Sequence, residues 1–566
     1  LTTQAIWLSP LWAFSLAILA SWPLGLAMAR MLDVGDDRTG HGLDRPVMWL
    51  VRLLGRRTPA RMDWRRYAVA MLAFNAALFV AGFTILAAQH RMPLNPDGKG
   101  SLASGGPSGA DTGVIFNTTV SFVTNCSLQH YAGERQLSHA SQLGAITWLD
   151  LVSAATGLAC LLAVARGLRG DEHMGDFYVD VIRSLVLVLV PLSVVVTLAL
   201  VACGVPMTFE GVATSQDLEG GTRLIARGPV AALVAAKQLM TVGGGFFGTN
   251  SAHPLENPSP WSNLLEVVAI AVVPMASIVL LGRMLGDRAH GRVVYGVMLA
   301  FAIAGAMLAL GFEAGSRTTD PSIAAGPNLE GKEIRLGAAS SATWAAITTA
   351  TSNGSVNAMH GSFRPLGGLV PLGLMLVDAS FGGIGSGYAH FLLYVIMAVF
   401  LGGLMVGRTP EYLGRKVEAR EVKLAMLGLL LHPLVVCVGV AVFAAMGPSR
   451  AGVSEPGPHG FTEILYEFAS SFATNGSGFE ALADDTPAWN VATGLAMLLG
   501  RYPALIFPLA IAGSLSSKVR LPRTQGTLRT DTWTFAILLA GTILLVGALS
   551  FLPAVALGPI AEHLMP

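Results

Sequence analysis

The chain has 566 residues, 53% of them hydrophobic and only 13% charged, with a net charge of +1 and a mean hydropathy of +0.59. Soluble domains are roughly a quarter charged, so these values exclude a water-soluble globule, and the near-zero charge leaves no basic surface for nucleic acid. The 65 glycines suit a polytopic membrane protein whose helices pack closely or break at a transport site.

A hydrocarbon core of about 30 Å takes about 20 apolar residues per helix. About ten stretches meet that measure, near Trp7–Ala29, Tyr67–Ala88, Gln142–Val164, Val179–Cys203, Ser262–Leu281, Val293–Phe312, Leu366–Val406, Val422–Met446, Val491–Ala512 and Trp533–Phe551. The first has no basic segment before it, so a cleavable signal peptide is not expected. The seventh is about twice the needed length and contains Gly382, Gly383, Gly385 and Gly387. Four glycines in six positions hold a regular helix poorly, so this stretch reads as two half-helices around an irregular segment. Cys126, Cys160, Cys203 and Cys437 lie in or beside apolar stretches without CxxC spacing, and most of them read as small buried thiols.

Basic residues beside the spans set the orientation. The first loop carries Arg38, Arg45, Arg52, Arg56, Arg57, Arg61, Arg65 and Arg66, a topology determinant that also suits contact with anionic membrane lipid. Arg166 and Arg169; Arg283, Arg288 and Arg292; Arg408, Arg415, Lys416 and Arg420; and Lys518, Arg520, Arg523 and Arg529 mark four further loops on the same, cytoplasmic side. Both termini then face outward, as do the less basic loops.

Those outward loops repeat one short phrase four times, roughly every 110 to 120 residues: Thr124-Asn125-Cys126-Ser127, Thr241-Val242-Gly243-Gly244, Ser352-Asn353-Gly354-Ser355 and Thr474-Asn475-Gly476-Ser477. A hydroxyl residue stands first in each, and three have glycine third. Each phrase follows an apolar run too short to cross a bilayer, about Gly113–Val123, Pro229–Met240, Ser341–Thr351 and Phe461–Ala473. Irregular backbone at membrane depth is tolerated only where protein buries it or it lines a cavity. The fold expected is therefore an all-α polytopic membrane protein of about ten transmembrane helices. Four fused span–pore-helix–span repeats surround a central pore, and two helices are extra. Its parts are a first span with the basic loop (1–66), repeats at 67–170, 171–290, 291–420 (with the broken helix) and 421–531, and a last span (532–566). Small hydroxyls, glycines and bare carbonyls in a ring replace the hydration shell of an alkali cation such as K+.

Longer motifs make a resemblance specific. Asn117–Asn125, Gln129, Gly243–Pro258, Thr349–His360, Ala473–Phe479, Phe381–Gly387, Gly407–Gly414 and Ala510–Leu515 resemble the KdpA family, the potassium-binding subunits of the bacterial Kdp potassium-pumping ATPases. The resemblance implies four pore repeats that bind and select K+ as the transported ion, with no other cofactor, in the bacterial cytoplasmic membrane. It also implies a KdpB-like P-type ATPase subunit that hydrolyses ATP, with KdpC-like and KdpF-like small subunits. This chain has no Asp-Lys-Thr-Gly and no GxxxxGK[ST], which agrees with a non-catalytic role. It departs from the family pattern at Cys126-Ser127-Leu128 and Val242, so its ring is asymmetric.

Charges in apolar spans face a cavity or a partner. Arg501 reads either as a cation below the filter, repelling ions or pairing with the broken helix, or as a structural arginine paired with an acid. Asp378 reads as an attractor of K+ leaving the filter or as a structural carboxylate. Asp150 and Glu266 suit packing networks. Lys237 is expected to point away from the axis, where an ammonium would take the ion's place. Glu463, Glu467, Glu480, Asp484 and Asp485 surround the fourth phrase and either enrich cations there or form a solvated face. His253, His360 and His432 lack ligand spacing. Arg408, Glu411 and Tyr412 form a docking surface for a partner subunit. The competing reading is a stand-alone Trk/Ktr/HKT-like K+ channel or symporter gated by a soluble partner. An intramembrane enzyme finds no HExxH or GxSxG to support it.

Overall fold

Among the described residues, ten helices are long and apolar enough to cross a membrane. The computed structural model describes residues 3–33, 44–53, 59–104, 112–314, 327–405, 407, 409–522 and 528–565. Arg38, Arg56, Arg57, Arg408 and Arg523 lie outside the described residues.

Helix α1 (Thr3–Leu32) and the short amphipathic α2 (Asp44–Leu53) precede the repeats. The first repeat is α3 (Trp64–Ala88), the short α4 (Thr112–Val123) and α5 (His139–Arg169). The second is α6 (Phe177–Ala202), α7 (Val230–Leu239) and α8 (Pro260–Met284). The third is α9 (Arg288–Ala314), α10 (Gly337–Ala350) and a broken pair, α11 (Pro365–Val377) and α12 (Ser386–Met405). The fourth is α13 (Ala419–Ala445), α14 (Pro458–Phe472) and α15 (Pro487–Ser516), and α16 (Trp533–Leu564) closes the chain. The seventh span breaks where its glycines stand. Asp378 ends α11 in the left-handed region at φ 43°, and Gly382 and Gly385 follow at 56° and 73°.

Local chemistry fixes the helix ends. A capping box between Ser259 and Ser262, with Pro260 in the first turn, starts α8. Gly170 at φ 98° stops α5, and the Arg415 guanidinium donates to the carbonyls of Leu168 and Arg169 there, at 2.8 and 3.2 Å. Two small antiparallel hairpins, unforeseen in the sequence, lie between helices: β1 (Ala213–Gln216) with β2 (Thr222–Ile225), and β3 (Glu411–Tyr412) with β4 (Arg415–Lys416).

The repeats close into a ring. α5 packs on α8, α12 on α13, and α15 returns to α3 and α4. The inner spans α5 and α8 bury 89% and 83% of their most apolar stretches, whereas α3 and α6 bury 28% and 22%. The second span of these repeats therefore builds the centre and the first faces outward, as a lipid solvent requires. Outside the ring, α1 lies so close along α8 that a Cβ at Gly25 would sit 2.6 Å from the Ala276 carbonyl oxygen.

Two expectations are corrected here. Tyr412 is fully buried, its hydroxyl 3.0 Å from that of Tyr388 and 2.9 Å from His290 Nε2, so it holds the hairpin down and presents no docking surface. Cys126 and Cys160 are buried, but Cys437 is exposed on α13.

Candidate functional site

The four short helices end alike. Thr124, Met240, Thr351 and Ala473 donate N–H to the carbonyls of Val120, Ala236, Ile347 and Ala469, at 2.8 to 3.0 Å. Two residues later, Cys126, Val242, Asn353 and Asn475 donate to Ser121, Lys237, Thr348 and Ser470, at 2.8 to 3.1 Å. The residue between each pair, Asn125, Thr241, Ser352 or Thr474, is left-handed, with φ of 63°, 51°, 49° and 50°. This is a helix stop of the Schellman kind, normally given to glycine.

These bonds correct the register of the first phrase by one residue. Asn125, not Thr124, is equivalent to Thr241, Ser352 and Thr474. Thr124 matches Thr351, and both hydroxyls turn back onto their own helices, to Val120 and Ile347, at 2.8 Å each. Ser127 then stands where Gly243, Gly354 and Gly476 stand. It takes φ 74° beside 90° at Gly354 and 98° at Gly476.

The four turns meet. A Cβ on Gly243 would lie 1.9 Å from Ser355 N, one on Gly354 2.0 Å from Asn475 O, and one on Gly476 2.2 Å from Cys126 O. Asparagine amides stitch neighbours together. Asn353 Nδ2 donates to Lys237 O and Asn475 Nδ2 to Thr348 O, both at 2.9 Å. Cys126 holds the equivalent place in the first repeat, and its thiol points at the equivalent carbonyl, Ser470 O, at 3.9 Å. Val242 has no donor to offer Ser121. There Asn125 Nδ2 reaches Thr241 O at 2.6 Å instead.

Several side chains assigned to the filter thus face away from the centre. Gln129 exchanges two bonds with the Gly245 backbone, at 3.0 and 2.7 Å, strapping the first loop to the second. Ser355 Oγ donates to Gln238, whose amide donates to Glu266, each at 2.8 Å. Ser477 lies 2.9 Å from Tyr466 Oη, and Gly244 packs on the Phe122 ring. Lys237 turns away from the axis to Glu256 and to Asn250, the latter at 2.6 Å. What the turns bring together is main-chain carbonyls and the Ser127 hydroxyl, which donates to Asn353 O and Asn475 O at 3.4 Å each, with the negative ends of four helix dipoles behind them.

A cavity on the far side of the turns is lined by Ser352, Thr474, Asp378, Gly383, His390 and Arg501. The break between α11 and α12 forms its wall, with Ile384 N donating to Thr241 Oγ1 at 3.2 Å and Gly382 N to Ala350 O at 3.1 Å. Glycine is obligatory in this break, because a Cβ on Gly387 would sit 1.7 Å from Phe381 O. Asp378 pairs with His390 Nδ1 at 2.6 Å. Arg501 is buried, donates to Ser153 O at 3.2 Å, and forms no ion pair with an acid among the described residues. Its Nη1 has no hydrogen-bond partner. Asp150 is buried with neither carboxylate oxygen hydrogen-bonded.

Around the fourth turn, Glu463 and Glu467 are fully buried and so form no solvated face. His253 stacks on Phe247, His432 on Phe472, and His360 bonds Tyr466 Oη at 2.8 Å. Sequence reasoning missed the role of the asparagines, which the shared letter at the second place could have suggested. It also passed over His130, which meets Glu467 and Asp484.

Three comparisons bear on this arrangement. The family model described as "Potassium-transporting ATPase A subunit" matches residues 11–564. The potassium-transporting ATPase potassium-binding subunits of Geobacillus kaustophilus and Anaeromyxobacter dehalogenans are 45% and 46% identical to this chain. Each alignment covers 97% of this chain, with 98% and 97% of the relatives. The crystal structure of the potassium transporter TrkH from Vibrio parahaemolyticus superposes with a TM-score of 0.51 at 15% identity. It covers 88% of this chain and 96% of TrkH, a likeness of fold. With ten apolar helices among the described residues, eight of them in a ring of four repeats, and near-complete matches to these subunits, the chain is a multi-pass membrane protein of the KdpA family, the potassium-transporting ATPase A subunits.

Proposed function

We propose that this chain binds K+ at the meeting point of the four turns and passes it, past the broken helix, toward a KdpB-like P-type ATPase subunit that hydrolyses the ATP. KdpC-like and KdpF-like small subunits complete the assembly. The chain sits in the bacterial cytoplasmic membrane with its termini and turns outward. The pore repeats run over 67–170, 171–290, 291–420 and 421–531.

One observation carries this reading. Four helices end in the same left-handed turn and converge on one centre with carbonyls and no charged side chain. Carbonyls in such a ring exchange for the water of a weakly hydrated cation at little cost. The ligands of this proposal are the backbone oxygens around Asn125–Ser127, Thr241–Gly243, Ser352–Gly354 and Thr474–Gly476. Asp378 and Arg501 act below them, Asp378 drawing the released ion and Arg501 barring a free leak.

The test is K+-stimulated ATP hydrolysis by the purified complex carrying Gly354→Asp, with assembly checked by size-exclusion chromatography. The expected result is at least a tenfold loss of apparent K+ affinity, about 1.4 kcal/mol, in an assembled complex. Wild-type affinity in that complex would overturn the ring as the binding site. K+ flux through reconstituted chain without the ATPase subunit would favour a stand-alone channel instead.

A further inference from the structure

Outside the ring, one trio of side chains has no role in the reading above. His130 lies four residues after Cys126, Glu467 on α14, and Asp484 beyond the fourth turn. His130 Nε2 is 3.5 Å from Glu467 Oε1 and 3.7 Å from Asp484 Oδ2. His130 and Glu467 have fully buried side chains, while Asp484 is 26% exposed. His130 Nε2 and both oxygens of Glu467 are buried without a hydrogen-bond partner.

That is an expensive arrangement unless a cation joins it. A buried carboxylate without a partner is strongly disfavoured. The N···O separations exceed the 2.7–3.2 Å of a direct N–H···O bond. They lie at and just beyond the edge of a tetrahedron, about 3.3–3.6 Å for metal bonds of 2.0–2.2 Å. The imidazole is also oriented as a ligand. Its Nδ1 lies 2.7 Å from Asn490 Oδ1, an acceptor that holds the proton on Nδ1 and leaves the Nε2 lone pair facing the two carboxylates.

From this geometry we propose that His130 Nε2, Glu467 and Asp484 bind one divalent transition-metal ion of the zinc class, with water as the fourth ligand. The ion joins the first pore loop to the fourth repeat. That is the seam where the thiol of Cys126 replaces the amide stitch made by Asn353 and Asn475, so the metal braces the ring where its own bonding is weakest. The ion is structural and distinct from the transported one.

The test uses the assembled complex, stripped with chelator and titrated with Co2+. The expected result is one Co2+ per chain, with the intense visible bands of a four-coordinate site. Those bands disappear in His130→Gln, and the affinity falls at least tenfold in Asp484→Asn, whose partly exposed position tolerates the change. K+ at high concentration leaves the bands in place. Absence of a stoichiometric ion in the wild-type complex would overturn the proposal and identify the trio as an imidazolium–carboxylate cluster. So would wild-type Co2+ affinity in Asp484→Asn. Either outcome leaves K+ binding at the ring untouched.

Discussion

A single side-chain amide ties each of two turns of the ring to the preceding repeat. Asn353 and Asn475 bridge to carbonyls of the preceding repeat in a fully buried setting, while Val242 in the same place makes no such bond. Removing a buried hydrogen bond costs about 1–2 kcal/mol, which corresponds to a factor of roughly 5–30. Asn353→Ala and Asn475→Ala should therefore weaken apparent K+ affinity by about that factor, with Val242→Ala, which breaks no such bond, weakening it less. Titration of K+-stimulated ATP hydrolysis measures this, and equal effects at all three positions would refute the stitch. This detail was only half legible in the sequence. The repeated letters located all four turns, yet they misaligned the first, because Thr124-Asn125-Cys126-Ser127 matches by letter while α4 runs one residue further than the letters imply. Backbone bonding, not side-chain identity, sets the register. The meeting of His130 with Glu467 and Asp484 had no signature at all, since 337 residues separate the first two.

Whole helices were far easier to read than their partners. Ten spans follow from apolar length, the four short helices from the runs that lead into the repeated phrase, and the glycines of 382–387 located the break in the seventh span. The β1–β2 hairpin escaped because its strands are exposed and carry no apolar alternation; an Asp217 carboxylate accepting from Glu219 N and Gly221 N makes its turn. For the broken helix, the tight contact at Gly387 gives a direct prediction. Gly387→Ala must displace Phe381 and with it the wall of the cavity. Transport of K+ into vesicles should fall at least tenfold while K+ affinity at the outer face changes less than threefold. A parallel loss of both would place the break in the binding site itself. Facing that wall from α15, Arg501 is a buried cation without an acidic partner among the described residues. Arg501→Ala should raise passive K+ leak or lower the ratio of K+ moved to ATP hydrolysed, with little change in affinity. An unchanged ratio and unchanged leak would remove that role.

At the scale of the molecule, orientation gives a labelling prediction. The proposed topology places β1–β2 outside and the loop before α16 inside. Ser215→Cys should react with a membrane-impermeant maleimide in intact cells, and Arg529→Cys only after permeabilisation; the reverse pattern would invert the topology. Both positions are exposed. The hydrogen bonds from Ile384 to Thr241 and from Gly382 to Ala350 carry a last consequence. They moor the segment between α11 and α12 to the second turn and to the end of α10, both of which border the proposed ion seat. Coupling free energy is reciprocal. On the proposed mechanism, an occupied seat secures the broken-helix segment, and a partner subunit that withdrew the segment would loosen the ion by the same amount, so that release inward and surrender of grip become one event.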